Sequence, residues 1–162
     1  MTGVRPRSRL RLFIEHPGSQ PSWCELTTGT AEPLRISDAP TLQAAQALRS
    51  QLRKDAVRSG RDPDATALII DLQVLIGPTR AAALQSCADI VTEPADGTLQ
   101  FVGTADGLRM LLDDIAAANV ADGATLVPLG GHNSVSALAA AALNTSTHPA
   151  INPGSTKEYV TS

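Results

Sequence analysis

The stretch that decides the fold is "FVGTADGLRMLLDDIAAANVADGATLVPLGG", residues 101–131. We predict that Thr104 caps a helix, because its hydroxyl can accept from a free amide of the first turn, where Asp106 also suits the helix dipole. The apolar residues that follow recur at helical spacing: Leu108, Leu111, Leu112 and Ile115. Asn119 is expected to close the helix, and the "ADG" turn leads into a buried strand over 124–129. The stretch therefore predicts one helix-to-strand unit of an α/β protein.

The rest of the chain carries similar units. The apolar run "ATALIIDLQVLIG" (65–77) is rich in Ile, Leu and Val, as is typical of a strand covered on both faces. We predict shorter strands at 9–16 and 32–38, and helices at 42–59, 79–88 and 133–143. Residues 92–100 are predicted to be a polar connection. Because strands that alternate with helices imply a parallel sheet, we expect a single α/β domain over 9–143, after a basic lead at 1–8 and before a flexible tail at 144–162.

Composition and charge exclude several classes of function. The 162 residues carry a formal net charge of −3 at pH 7 and include one Trp, one Tyr and two Phe. This balance offers neither the basic surface nor the stacking side chains of a nucleic-acid-binding protein, and no apolar run is long enough to span a membrane. Cys24 and Cys87 lack metal-ligand spacing, so we expect no metal and two free thiols, as in a cytoplasmic protein. The arginines clustered in 4–11 suit either an anion-binding arm or a solvated lead into the first strand.

Three segments in fixed order resemble the bacterial luciferase-like family of flavin monooxygenases and coenzyme F420-dependent oxidoreductases. Residues 44–83 resemble that family's helix, its "GRDPD" turn, the penultimate barrel strand and the "IG-x-T-x-x-A" entry into the next helix. Residues 101–128 resemble the "GT" helix start, the "A-x-x-V-ADG" turn and the final barrel strand. Residues 11–22 and 31–45 resemble the two preceding strands, the first of which ends in a Gly-Ser loop.

The resemblance covers only the C-terminal half of a (β/α)8 barrel. A complete barrel usually needs about 250 residues, and this chain offers no counterpart of the first four strands. We therefore expect a half-barrel of about four parallel strands with helices. Such a sheet leaves unpaired edges and an apolar face, which favours a homo-oligomer or a partner that supplies the missing half-barrel.

The resemblance also implies a cofactor, FMN or coenzyme F420, at the carboxyl ends of the strands. In the family the Gly-Ser loop holds the flavin phosphate, which assigns that role to Gly18, Ser19 and Ser22. Two features of the chain weaken the assignment. Trp23 stands where the family prefers a small residue or Gly, and Pro21 lacks an amide donor. The alternative is an ordinary turn after a strand.

A few other residues are candidates for chemistry. Gly130 and Gly131 offer a second anion-cradling loop, with an ordinary surface turn as the alternative. His16, at the end of a strand, is a candidate acid or base, although a solvated residue is the simpler interpretation. Asp71, inside an apolar strand, either faces a pocket or forms structural hydrogen bonds. Because neighbours in a strand point to opposite faces, His16 and Glu15 are not expected to line one pocket together.

Two main functions follow from these patterns. The first is a flavin- or deazaflavin-oxidoreductase-related subunit that binds FMN or F420 in a monooxygenase assembly; if active, it is a flavin-dependent monooxygenase or an F420-dependent oxidoreductase. The alternative is a degenerate, non-catalytic half-barrel that acts as an assembly or regulatory partner through its exposed sheet edges. A truncated gene product with little activity of its own remains a third interpretation.

Overall fold

The computed structural model describes residues 10–90, 97–130 and 133–143. The predicted lead at 1–8, the tail at 144–162 and Gly131 lie outside this part. The strands are β1 (Arg11–His16), β2 (Ser22–Glu25), β3 (Glu32–Ile36), β4 (Thr66–Ile76), β5 (Leu99–Gly103) and β6 (Gly123–Pro128). The helices are α1 (Leu42–Arg58), α2 (Arg80–Ile90), α3 (Ala105–Ala117) and α4 (Val135–Leu143). The predicted α/β class and the partial barrel are confirmed.

The sheet is built around β4. Its strand order is β2-β1-β6-β4-β3, and β5 also pairs with β4. The first half of β4 pairs with β3, and the second half pairs with β5. All of these pairs are parallel except the β1–β2 hairpin. The described residues therefore form five parallel strands, and the fifth, β5, begins at the end of the connection predicted to be polar.

The position of β1 differs from the order that the resemblance implied. That order places β1 beside β3, but β1 pairs with β6, from Arg11 beside Gly123 to Ile14 beside Leu126. In a closed barrel the first strand lies next to the last. β1 therefore occupies the place of a first barrel strand, and the elements that a complete barrel would add belong between β1 and β3 in the sequence.

The two faces of the curled sheet are covered differently. The outer face packs against α1, α3 and α4 in the main core; its fully buried members include Ile14, Leu68, Leu108, Ile115 and Leu138. At the amino-terminal end of the inner face, Phe13 and Ile69 pack with Trp23. At the carboxyl end of the inner face, α2 packs on Leu75 and Leu129. A polar layer lies between these two apolar groups.

Local signals place the helix ends as predicted. The hydroxyls of Thr41, Thr79 and Thr104 each accept an amide at the start of a helix. Asn119 adopts a positive φ of 53° just after α3, where a left-handed residue ends a helix. These caps act within a few residues, which is why the sequence alone predicts them.

The "ADG" turn anchors the last strand. The Asp122 carboxylate accepts the amide of Leu68 at 2.9 Å and pairs with Arg49, also at 2.9 Å. A Cβ on Gly123 would lie 2.7 Å from the backbone oxygen of Arg11 and 2.6 Å from the side chain of Ile69. The turn therefore has a structural role: it lets β6 enter between β1 and β4.

Candidate functional site

An open concavity of about 520 Å³ occupies the polar layer of the inner face. Its polar lining comes from several strands and the segments next to them: Glu15, Arg35, Ser37, Asp71, Gln73 and Thr98. Val127 on β6 adds an apolar side chain. Barrel enzymes bind their ligands at the carboxyl ends of parallel strands, so this concavity is the candidate site.

Arg35 crosses the concavity and joins two carboxylates. Its Nε donates to Asp71 Oδ1 at 2.8 Å, and its Nη2 donates to Asp71 Oδ2 and to Glu15 Oε1, both at 3.0 Å. The hydrogen bonds that Arg35 donates to Asp71 are the main reason that the pKa of Arg35 is raised, with Glu15 adding to it and burial opposing it. β1 and β3 stand at opposite ends of the parallel run, so Arg35 ties its two sides together.

Below this network an aromatic pair fills the inner face. The rings of Phe13 and Trp23 stack with centroids 4.4 Å apart and planes 15° from parallel. The indole N–H of Trp23 donates to the hydroxyl of the fully buried Thr125 at 2.9 Å. The guanidinium of Arg35 lies 5.7 Å from the centre of the Trp23 ring. Trp23 thus packs, donates a hydrogen bond and contacts a cation at once.

The two candidate catalytic residues lie in different places. Asp71 is in the concavity, where Arg35 binds both of its carboxylate oxygens. His16 is exposed at the end of β1 and pairs with Ser22 of β2. Strand alternation directs Glu15, rather than His16, into the concavity, as the sequence argument required. A catalytic role for either candidate stays a prediction.

The residues predicted to bind a cofactor lie away from the concavity lining. Gly18, Ser19 and Ser22 are exposed around the β1–β2 turn. Gly130 has a positive φ of 63° and packs against Ile90 of α2. The roles assigned to these residues, and to Gly131, stay predictions.

The polar residues after β6 have structural partners. The side-chain amide of Asn133 accepts from the backbone N–H of Ile76 at 2.8 Å and donates to its carbonyl at 2.9 Å. The hydroxyl of Ser134 accepts the amide of Ala137 at 3.1 Å and caps α4. This end of the loop therefore holds α4 against the end of β4.

Sequence reasoning missed Arg35 as a site residue. The signal available was a charged residue inside the short strand "EPLRI", together with a single acidic residue in the neighbouring apolar strand. A buried carboxylate requires a partner, and Arg35 is that partner for Asp71. The sequence does not tell which arginine reaches Asp71, because that depends on the register of β3 against β4.

The charge of the concavity and the packing beneath it bear on the predicted cofactor site, and binding of FMN or F420 stays a prediction. Glu15 and Asp71 outnumber Arg35, so the lining of the concavity has a formal charge of −1. The apolar part of the inner face, where a flat ring would need space, is occupied by Phe13 and Trp23.

No group of His, Cys, Asp or Glu that could hold a metal occurs among residues 10–90, 97–130 and 133–143. No helix in the described part of the chain is long and apolar enough to cross a membrane.

Comparison with known proteins supports the fold. No protein-family model matches the chain, and no curated protein matches its sequence. The crystal structure of the long-chain alkane monooxygenase LadA is similar, with a TM-score of 0.54 at 11% sequence identity. The match covers 70% of this chain and 36% of that monooxygenase. The chain therefore has a partial barrel like part of LadA, in agreement with a luciferase-like fold.

Proposed function

We propose that this chain is a luciferase-like, flavin-oxidoreductase-related subunit that acts within an assembly and holds no flavin by itself. The observation that carries the proposal is that Phe13 and Trp23 fill the amino-terminal end of the inner face, while Arg35 bridges two carboxylates across the concavity above them. In a working barrel this space receives the ligand. A subunit whose concavity is crossed by its own ion pairs serves as a non-catalytic assembly or regulatory partner.

The groups in the concavity also argue against catalysis by the isolated chain. A general acid or base must lie within hydrogen-bond reach of the reacting atom. Both oxygens of Asp71 accept hydrogen bonds from Arg35, and His16 lies outside the concavity lining. No nucleophile-and-base pair is formed among the lining residues of the concavity.

The edge formed by β3 is poorly suited to recruiting another strand. The amide of Glu32 donates toward β4, to the carbonyl of Ala65 at 2.9 Å. Backbone groups alternate along a strand, so Pro33 falls on the free edge, where it offers no N–H. Proline and short length are common protections of edge strands. Association through this sheet edge is therefore disfavoured.

A cleft between α1 and β3 is the better contact surface. This β3–α1 cleft has a volume of about 410 Å³, and its floor includes Leu34, Leu52, Ala56 and Leu68. Leu34 is 37% exposed, although it lies on a strand. A preceding βα unit of a longer barrel would cover this flank, since it would pack beside β3. The cleft is thus the apolar surface that the chain leaves open on that side.

We propose a second copy of this chain as the occupant of the β3–α1 cleft. A two-fold contact requires one patch that is complementary to itself. The rim of the cleft carries both Arg61 and Glu32, and neither takes part in an ion pair within the described residues. In a two-fold dimer, Arg61 of one copy can face Glu32 of the other while the two Leu34 side chains become covered.

Cofactor titration tests the absence of a flavin site. The purified chain is examined by visible absorption and then titrated with FMN and with F420 in equilibrium dialysis. We expect no retained flavin and no saturable binding. Binding at one cofactor per chain with a micromolar Kd would overturn the proposal.

Light scattering tests self-association. We expect a dimer at micromolar concentration, and Leu34→Lys should shift the mass to that of a monomer because it places a charge in the contact. Leu84→Lys is the matched control, since Leu84 is 49% exposed on α2, away from the cleft. A monomeric wild type, or equal effects of the two variants, would contradict the β3–α1 contact.

A second candidate function is FMN or F420 binding completed by an assembly. It is favoured by the exposed Gly18–Ser19 turn at the carboxyl end of β1, where backbone amides remain accessible to a phosphate. This function predicts flavin retained only by the assembled form and lost on Ser19→Pro. The first proposal predicts no retained flavin in any assembly state of this chain alone.

A further inference from the structure

We infer that the concavity is a binding site for a small organic cation, of the guanidinium or alkylammonium type, held between Glu15 and Gln73. The inference rests on the geometry of the concavity and does not depend on the proposed assembly function. The proposed ligand is positively charged, whereas a flavin phosphate is negatively charged.

The first support is the charge of the lining. Glu15 and Asp71 supply two carboxylates, and Arg35 supplies one compensating charge. Arg35 bridges both carboxylates, so one negative charge of the lining stays uncompensated. Glu15 gives Arg35 one oxygen, Oε1, which leaves Oε2 to accept from a ligand. A cation is therefore attracted to this point and an anion is repelled.

The second support is the set of free acceptors beside Glu15. Gln73 projects from β4 into the same concavity, and its side-chain amide makes no hydrogen bond within residues 10–90, 97–130 and 133–143. It is half-buried, so its carbonyl oxygen is partly desolvated. Glu15 Oε2 and Gln73 Oε1 can together receive two N–H groups of one ligand.

Arg35 shows that this face accommodates a guanidinium. Its head group lies against two carboxylates and within 5.7 Å of the Trp23 ring centre. Carboxylate and aromatic surfaces are the two partners that organic cations prefer in proteins. The volume of about 520 Å³ leaves room for a second small cation beside that of Arg35.

Trp23 provides the measurement, because it is the sole tryptophan of the chain and lies beneath the concavity. Its fluorescence is followed while methylguanidinium chloride is added at millimolar concentrations, with sodium chloride at matched ionic strength as the salt control and sodium acetate as the anion control. We expect a saturable change in fluorescence when methylguanidinium chloride is added, and no saturable change with either control salt.

Glu15→Gln is the diagnostic variant, since it removes one negative charge of the lining and retains the shape of the side chain. We expect it to weaken methylguanidinium binding about tenfold, as for loss of a charge-assisted hydrogen bond. Glu32→Gln, outside the concavity, should bind like the wild type. Gln73→Leu provides a second test that leaves all charges in place and should weaken binding about threefold.

Three results would overturn the inference. The first is a fluorescence response to methylguanidinium that does not saturate or that sodium chloride reproduces. The second is saturable binding of equal strength in wild type, Glu15→Gln and Gln73→Leu. The third is saturable binding of acetate. If Glu15→Gln proves unfolded by circular dichroism, the comparison of wild type with Gln73→Leu decides between the same outcomes.

Discussion

Trp23 is the side chain whose loss should most weaken the inner face. Trp23→Ala removes a half-buried indole that stacks on Phe13 at 4.4 Å and donates to the buried Thr125 hydroxyl. The ring stack contributes about 1 kcal/mol. Loss of the hydrogen bond, which leaves the buried Thr125 hydroxyl without its donor, costs about 1–2 kcal/mol. The burial of the partly exposed indole ring contributes about 1–2 kcal/mol. We therefore expect Trp23→Ala to lower the free energy of unfolding by about 3–5 kcal/mol.

Two further variants separate these contributions. Trp23→Phe keeps a ring against Phe13 but loses the indole N–H, so it should cost about 1–2 kcal/mol. Thr125→Val removes the acceptor with little change of shape. Because both variants break the same hydrogen bond, the double variant should cost about 1 kcal/mol less than the sum of the two singles.

Urea unfolding followed by far-UV circular dichroism measures these free energies, because the substitutions remove the tryptophan that fluorescence would need. A cost for Trp23→Ala below about 1 kcal/mol, the size of an ordinary surface substitution, would refute the packing described. Strict additivity of Trp23→Phe and Thr125→Val would show that the indole does not donate to Thr125.

The remaining predictions concern the turn before β6 and one ion pair. Asp122→Ala should lower the free energy of unfolding by about 2–3 kcal/mol in urea, since it leaves Arg49 and a β4 amide without their acceptor. Gly123→Ala should cost about 2 kcal/mol or more in the same assay, because the new Cβ would overlap backbone of β1. The hydrogen bond from Arg11 is the main cause of the lowered pKa of Glu25. The free energy of unfolding of the wild type should therefore exceed that of Glu25→Gln by about 1 kcal/mol at neutral pH. That advantage should be lost as pH falls below the carboxyl's ordinary value of 4.5 and through its lower folded value.

Controls and contrary outcomes follow from the same contacts. Asp114→Ala, on the exposed face of α3, should change the free energy of unfolding by less than about 0.5 kcal/mol. Equal costs for the Asp114 and Asp122 variants would contradict the anchoring role of the turn. A Glu25→Gln penalty that stays constant from neutral pH to well below 4.5 would contradict the charge-assisted bond to Arg11.

Much of the secondary structure could be predicted from sequence because its signals are local. The helix of 101–131 is capped by Thr104 and is followed by the left-handed residue Asn119, both identified from residue type and spacing. The long strand β4 was equally clear, because an apolar run of that length is typical of a strand covered on both faces. Periodicity and capping act within about one turn or one strand.

The strands β2 and β5 and the strand order could not be predicted. β2 and β5 have four and five residues, too few for periodicity to distinguish them from loops. Their stability comes from pairing with β1 and β4, which are distant features of the fold. Likewise, nothing local in β1 indicates that its parallel neighbour is β6, more than a hundred residues later.

The candidate site was predicted in part for the same reason. Asp71 was identified because a carboxylate inside an apolar strand needs an explanation. Its partner Arg35 was not, because their contact depends on β3 pairing with β4 so that Arg35 lies beside Ile69. Trp23 was interpreted as an obstacle to phosphate binding at the turn, whereas its indole packs under the concavity and bonds Thr125.

The most direct test of a self-filled inner face is a nuclear Overhauser measurement on the indole N–H of Trp23, the one such proton in the chain. The contacts described predict cross-peaks from this proton to the methyl group of Thr125, together with slow exchange with solvent, because it donates to the Thr125 hydroxyl at 2.9 Å. An indole proton with no cross-peak to Thr125 and with the exchange rate of free tryptophan would show that Trp23 does not fill the amino-terminal end of the inner face.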